Sequence, residues 1–381
     1  AFYSHYDFEL FSNFTFFLED PVNADQIRQQ EDRSIFGAES SWNKTSYLGS
    51  GSAIWRAGVG FRADRVNDVG LSRTANRKTL LENIQLGDID EKNLYGYVSA
   101  ELEFGKLLFK PSLRYDYFKF NYVDQLDSLY VNDGQTRGFV APKLSVIYDA
   151  ARNIQLFAKA GYGFHSNDPR VVLSRDDRDI LPSAFGVDVG ATFKPAPRLI
   201  ANVALWSLYL EQEFVYVGDA GIVEPSGETQ RRGVDLGIRY QLNDWLFFNA
   251  DGTYTHARSI NDPEGENLIP LAPVYTATGG LSVRQDRYRG GLQFRYLGDR
   301  PANEDNSIVA EGYTIVDVNA NYDINKSLNI GFAIENLLDV EWNETQFATE
   351  SRLRDEPIST EEIHFTPGVP FFFKGTLRYT F

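Results

Sequence analysis

The chain has 381 residues, 43% hydrophobic and 14% aromatic, with a formal net charge of −16 and neither cysteine nor methionine. No run approaches the roughly 18 apolar residues that a membrane-spanning helix needs, so helical insertion is excluded. The acidic balance opposes phosphate contacts and argues against nucleic acid as a partner, and zero cysteine removes disulfides and thiolate metal sites.

Prolines and glycines are spread along the whole chain, and no linker interrupts it, which suits many strands separated by recurring turns. The first clear alternation sets Trp55, Ala57, Val59, Phe61 and Ala63 on one face against Arg56, Gly58, Gly60, Arg62 and Asp64 on the other. It returns with Val234, Leu236, Ile238, Tyr240 and Leu242 opposed to Gly233, Asp235, Gly237, Arg239 and Gln241. Thr314, Val316, Val318, Ala320 and Tyr322 then oppose Ile315, Asp317, Asn319 and Asn321. At the end Phe373, Gly375, Leu377, Tyr379 and Phe381 oppose Lys374, Thr376, Arg378 and Thr380. One face suits hydrocarbon and the other water.

Soluble sandwiches also alternate, so segment length and loop asymmetry have to decide. The patterned segments run about 9 to 15 residues, near what a tilted strand needs to cross a bilayer. Short connections are expected near 105–106, 149–153, 195–198, 243–244, 285–289 and 325–327, with a longer one near 43–52. Long ones are expected near 19–33, 64–92, 122–138, 166–183, 218–231, 258–272, 298–311 and 338–370. This asymmetry predicts an all-β, antiparallel transmembrane β-barrel of about sixteen strands, with tight periplasmic turns, long extracellular loops and both termini periplasmic. A single barrel domain would then occupy residues 1–381. Phe14, Phe16, Tyr115, Tyr117, Phe371, Phe372 and Phe381 are expected at strand ends as interfacial girdles. Arg62, Asp64, Arg114, Asp116, Asp235, Arg239 and Asp317 are assigned to a hydrated lumen, because a sandwich core would not accept them unpaired.

Several segments resemble the C-terminal barrel of TonB-dependent outer-membrane receptors. They are Leu113–Phe118 (LRYDYF), Ala141–Tyr148 (APKLSVIY), Leu156–Asp168 (LFAKAGYGFHSND), Glu224–Tyr240 (EPSGETQRRGVDLGIRY), Ile334–Asp339 (IENLLD) with Val340–Phe347 (VEWNETQF), and the tail Phe371–Phe381 (FFFKGTLRYTF). The resemblance implies a bacterial outer-membrane location and import of a scarce nutrient such as a ferric siderophore, haem, cobalamin or another metal chelate, not catalysis. It implies Tyr379 and Phe381 as the signal read by the barrel-assembly machinery, with outer-membrane lipid and lipopolysaccharide around the wall. Family barrels have about 22 strands around a plug, preceded by a TonB-binding segment. Neither plug nor TonB-binding segment is found in these residues, and Ala1 falls in a strand-like pattern, so the chain is expected to start about six strands into such a barrel. The rival expectation is a passive, cation-preferring, porin-like pore.

Other motifs carry less. Gly161-Tyr-Gly163 lacks the third glycine and helix of a nucleotide loop. Asp88, Asp90 and Asn93, like Asp176, Asp177 and Asp179, lack the glycine and terminal glutamate of an EF-hand. The four histidines show no metal-ligand spacing, and no cofactor is implied. Ligand capture is expected at the extracellular rim, first at His165, Asp168 and Arg170, then at Asn303 and Asp305, then at Arg352, Arg354, Asp355 and His364.

Overall fold

The computed structural model describes residues 1–49, 51–127, 132–166, 180–212, 214–217, 222–225 and 227–381. Its main sheet has 16 antiparallel strands. The first eight are β1 (Phe2–Ser12), β2 (Ile27–Leu48), β3 (Gly51–Ala75), β4 (Thr79–Phe104), β5 (Leu107–Asp124), β6 (Asn132–Ala151), β7 (Ile154–Phe164) and β8 (Ser183–Ala196). After β9 (Leu199–Leu210), a ribbon of β10 (Phe214–Val217) and β11 (Ile222–Pro225) intervenes before β12 (Thr229–Gln241), β13 (Leu246–Ser259), β14 (Tyr275–Gln285) and β15 (Tyr288–Leu297). A second ribbon, β16 (Arg300–Pro301) with β17 (Val309–Ala310), precedes β18 (Tyr313–Asp323) and β19 (Leu328–Glu335). A third, β20 (Asn343–Ser351) with β21 (Thr360–Pro367), precedes β22 (Phe372–Tyr379). Every main-sheet strand pairs with its sequence neighbours in that sheet, so the wall is a continuous meander without crossovers.

Side-chain periodicity explains which face meets lipid. Leu236 faces Gly252 across the β12–β13 ladder and Ile238 faces Ala250, and both leucine and isoleucine are exposed. On β15, Tyr288 and Tyr296 share that outward face eight residues apart. At about 3.4 Å per residue and a tilt of about 40°, they stand roughly 21 Å apart along the barrel axis, near the height of an outer-membrane apolar band. Tyr288 meets Tyr322 at 4.7 Å in the lower belt, and Tyr254 meets Tyr275 at 5.1 Å in the upper one, both pairs tilted. Aromatic rings favour this interfacial depth because one end is apolar and the other polar.

The short turns fall at 105–106, 152–153, 197–198, 242–245, 286–287 and 324–327. Three expected loops are corrected. Residues 64–92 are mostly strand, because β3 and β4 climb to a tight turn at Asn76–Lys78; β5 and β6 likewise fill most of 122–138, and β2 runs through Asn43 to Leu48. Above the lipid the outward face no longer has to be apolar, and Val66, Val69, Ile89 and Tyr122 bury in a local cluster instead, so the apolar alternation fades while the pairing continues. Phe14 and Phe16 also depart from expectation: they lie in the β1–β2 loop, not in a girdle. Among the described residues β1 pairs only with β2 and β22 only with β19, which leaves one free edge on each.

The β3–β4 turn closes with a bond from Lys78 N–H to the Ala75 carbonyl, and both central residues are left-handed, Asn76 at φ 53° and Arg77 at φ 57°. Asparagine tolerates this conformation; arginine strains in it by about 1–2 kcal/mol. Arg77→Gly keeps the backbone N–H that donates to Gln26 Oε1 at 2.7 Å. It is expected to stabilise the hairpin by about 1 kcal/mol, measured as slower amide exchange at its tip.

Candidate functional site

The polar face of β1–β5 carries a connected set of charges. Arg62 and Arg114 each grip the acid two residues ahead on the same face. Arg62 reaches Asp64 at 2.6 and 2.7 Å, and Arg114 holds Asp116 at 2.7 Å through both Nε and Nη2. Asp116 is 0% and Asp64 5% exposed, so these two-point bonds replace the water each carboxylate has lost. Asn93 adds a bond to Asp116 at 3.0 Å, and Arg33 approaches Asp64 at 3.9 Å while bonding Glu31, which also accepts from Tyr6.

Glu39 accepts from Tyr95 at 2.7 Å and Tyr97 at 3.1 Å, and the Arg114 guanidinium lies 3.9 Å over the Tyr95 ring. Those rings lie flat across β3 because glycines face them: a Cβ on Gly58 would stand 2.6 Å from the Tyr97 ring, and one on Gly60 2.5 Å from the Tyr95 hydroxyl. Farther round, Arg239 bonds Asp251 at 2.9 Å, Asp235 accepts from Thr253 at 2.9 Å, and Asp317 lies 3.6 Å from Arg295. Glu31, Arg33, Glu39, Tyr95 and Tyr97 were not singled out from the sequence. Their signal was parity with Arg62, Asp64 and Arg114 on neighbouring strands.

A second assembly sits above the sheet. Asp25 and Asp20 fold the β1–β2 loop by accepting its own donors, including Thr15 Oγ1, Asp20 N–H and Asn23 N–H. That loop docks on the β20–β21 ribbon from the far end of the chain. Phe14 meets Phe347 edge-on at 5.0 Å, Phe16 stacks on His364 at 5.4 Å, and Arg352 donates to the Phe17 carbonyl. Arg354 lies 4.7 Å over the Phe17 ring. Gln346 then joins the ribbon to the β15–β18 connection, accepting from Glu311 N–H at 3.0 Å and donating to the Glu311 carbonyl at 2.7 Å. Loops of the first, penultimate and last strands thus form one canopy.

Of the rim residues expected to capture ligand, Arg352, Arg354 and His364 come together in this canopy, and Asp355 stands exposed at the tip beside them. Asn303 and Asp305 are occupied in their own turn: Asn303 bonds Ser307 Oγ and Ile308 N–H, and Asp305 accepts from Ser307 N–H. His165 is exposed, with its backbone N–H on the Pro182 carbonyl. Asp168 and Arg170, like the Asp176–Asp179 acids, lie outside the described residues.

Asp116→Asn removes the charge that both Arg114 and Asn93 address; a loss of about 1–3 kcal/mol is expected, read as a lower temperature for unfolding of the detergent-solubilised band. His364 titrates in the opposite sense to a paired histidine. Its burial against Phe16 and Phe347 pushes the imidazole below its ordinary value. With the folded pKa below the unfolded one, the canopy is fully stable above about pH 6.5 and weakens as pH falls through that value. Limited proteolysis of the β20–β21 ribbon should therefore accelerate between pH 7 and 5, and His364→Phe should abolish that dependence.

Residues 1–337 match the model of the TonB dependent receptor-like β-barrel family. The chain is 24% identical over 230 residues to the metal-pseudopaline receptor CntO of Pseudomonas aeruginosa, covering 56% of this chain and 31% of that protein. Its fold is similar to the ferric-catecholate import receptor Fiu of E. coli K12 (TM-score 0.73, 15% identity, 99% of this chain and 60% of that one). It is similar also to the copper transporter OprC (TM-score 0.72, 15% identity, 100% and 62%). The chain therefore spans about a third of the curated relative and about three fifths of these solved structures. Such barrels are outer-membrane proteins of Gram-negative bacteria. With the family model covering most of its length, and a 16-stranded antiparallel wall to match, the chain belongs to the TonB-dependent receptors.

Proposed function

We propose that this chain, read as one barrel domain over residues 1–381, is the wall and canopy of a receptor that imports a scarce nutrient as a metal chelate. A ferric siderophore is one such cargo, and TonB supplies the energy when a plug is present. The canopy carries the reading, because loops from distant strands converge above a polar wall and present Arg352, Arg354, Asp355 and His364. Loops on a rigid scaffold are where recognition is built. CntO's name as a metal-pseudopaline receptor, and the ferric-catecholate and copper transport named for the structural relatives, favour a metal complex as cargo.

The family is one of transport receptors, and no catalytic role is assigned. His165, Asp168, Arg170, Asn303 and Asp305 stand as outlying rim positions in this reading. Arg62, Asp64, Arg114, Asp116, Asp235, Arg239 and Asp317 line the passage, and Tyr379 with Phe381 serves outer-membrane assembly. A passive pore draws no support from the geometry, since its wall would need β1 to pair with β22.

The test is binding and conductance of the 381-residue chain in detergent and planar bilayers. Quenching of tryptophan fluorescence by ferric citrate, a ferric catecholate or a nickel chelate is expected at micromolar concentration, reduced about tenfold in Arg352→Ala. Steady cation-selective conductance steps, with no quenching by any of these chelates, would overturn the receptor reading and restore the pore.

A further inference from the structure

On the outward face of β13, Tyr254 is followed by His256 and then Arg258, so a face that is aromatic at the membrane boundary turns basic immediately above it. Tyr254 lies opposite Tyr275 on β14, and Arg232 lies opposite His256 on β12. Where this end of β13 meets the β13–β14 loop and β16, a cavity of about 520 Å³ opens, lined by His256, Arg258, Leu268, Ile269, Asp299 and Arg300 among others.

Arg300 is 7% exposed, and its buried Nη1 has no hydrogen-bond partner. Its neighbour Asp299, which lines the same cavity, accepts from Gly312 N–H at 2.7 Å and forms no salt bridge with Arg300. Arg258 spends a donor on the Ala257 carbonyl and Arg232 on Gln230. Among the described residues none of these three arginines forms a salt bridge, in a chain with 53 acidic residues against 37 Lys and Arg. Burial pushes the Arg300 guanidinium below its ordinary value, and the nearby Tyr313 and Asp299 offset this only in part.

A buried guanidinium with an unpartnered donor, at the edge of a cavity that also carries His256 and Arg258, suits a planar or tetrahedral oxyanion, which its fork can grip at two points. We propose that this cavity is an oxyanion site of the phosphate class, with Arg300 as its buried contact and Arg258 as its outer one. Its height, just above the Tyr254–Tyr275 belt, is where the phosphates of an outer-leaflet lipid headgroup lie. Free phosphate shares the same chemistry. The site is independent of which nutrient is carried.

The test uses calorimetry on the folded 381-residue chain in detergent, titrated with inorganic pyrophosphate, with diphosphorylated lipid A, and with enzymatically dephosphorylated lipid A. At least one phosphorylated probe is expected to bind, with Arg300→Gln and Arg258→Gln each weakening it at least tenfold. Arg300→Lys should retain most of the affinity. Arg198→Gln, at a turn where Arg198 pairs with Asp244, should leave it unchanged. Binding of diphosphorylated lipid A alone supports the site and identifies the headgroup as its source; binding of pyrophosphate as well supports the site with free oxyanion sufficing. If Arg300→Gln does not fold, Arg258→Gln and competition by pyrophosphate decide. The proposal is overturned if no phosphorylated probe binds better than dephosphorylated lipid A, or if Arg258→Gln and a folded Arg300→Gln bind as Arg198→Gln does.

Discussion

A strand crossing hydrocarbon finds no water for its N–H and C=O groups, each of which costs several kcal/mol if left unmet. The rest of this molecule answers that constraint. Sixteen strands hydrogen-bond in an unbroken meander, and eight of the turns between them close in two to four residues. Because the backbone is committed to its ladders, side chains alone are free to vary the surface, and period two divides them into an apolar outer skin and a polar inner one. The free edges of β1 and β22 mark where the ladder stops. There the contacts of the β1–β2 loop with the β20–β21 ribbon bring the two ends of the sheet into proximity, through side chains and through backbone bonds from Phe17 N–H to the Arg352 carbonyl and from Arg352 N–H to the Thr15 carbonyl.

The inner skin obeys a second rule that follows from the first. Charges lining a narrow polar space lose part of their hydration, and they persist by pairing with one another. Arg62 with Asp64 and Arg114 with Asp116 solve this along a strand, while Glu39 with Tyr95 and Tyr97 solves it across strands. Asn336 solves a related problem at the end of β19. Its φ of 51° turns the chain, its N–H donates to Asp317, its side-chain amide donates to the Val340 and Val369 carbonyls, and its side-chain oxygen accepts from Val340 N–H. Asp339 then accepts from Phe371 N–H and sets the entry to β22. The Asn-Leu-Leu-Asp segment by which the sequence resembled its family is thus a backbone clamp.

The sequence revealed most where hydrocarbon lies on one side of a strand. Val234–Leu242 and Phe373–Phe381 alternate cleanly because lipid demands it, and their strands were legible. Between Asp64 and Lys92 lipid no longer dictates one face: Val66, Val69 and Ile89 bury in a local cluster while charged residues occupy either face, and the strand looked like a loop. The wall network depended on register, which no single strand encodes: Glu39 and Tyr95 are 56 residues apart. The canopy was legible only as a set of polar rim residues, since the docking of Phe16 on His364 joins opposite ends of the chain.

The β3 and β4 strands are 25 and 26 residues long, whereas crossing the apolar band takes about 9–11 residues. The surplus of about 14 residues, at roughly 3.3 Å each and inclined about 40°, lifts the Asn76–Lys78 turn about 35 Å beyond the upper aromatic belt. Held by a ladder that shifts register three times above Val66 yet pairs up to the turn, this hairpin is a mast. Its tip, exposed Arg77 and Lys78, puts positive charge at the far end of a chain whose net charge is −16.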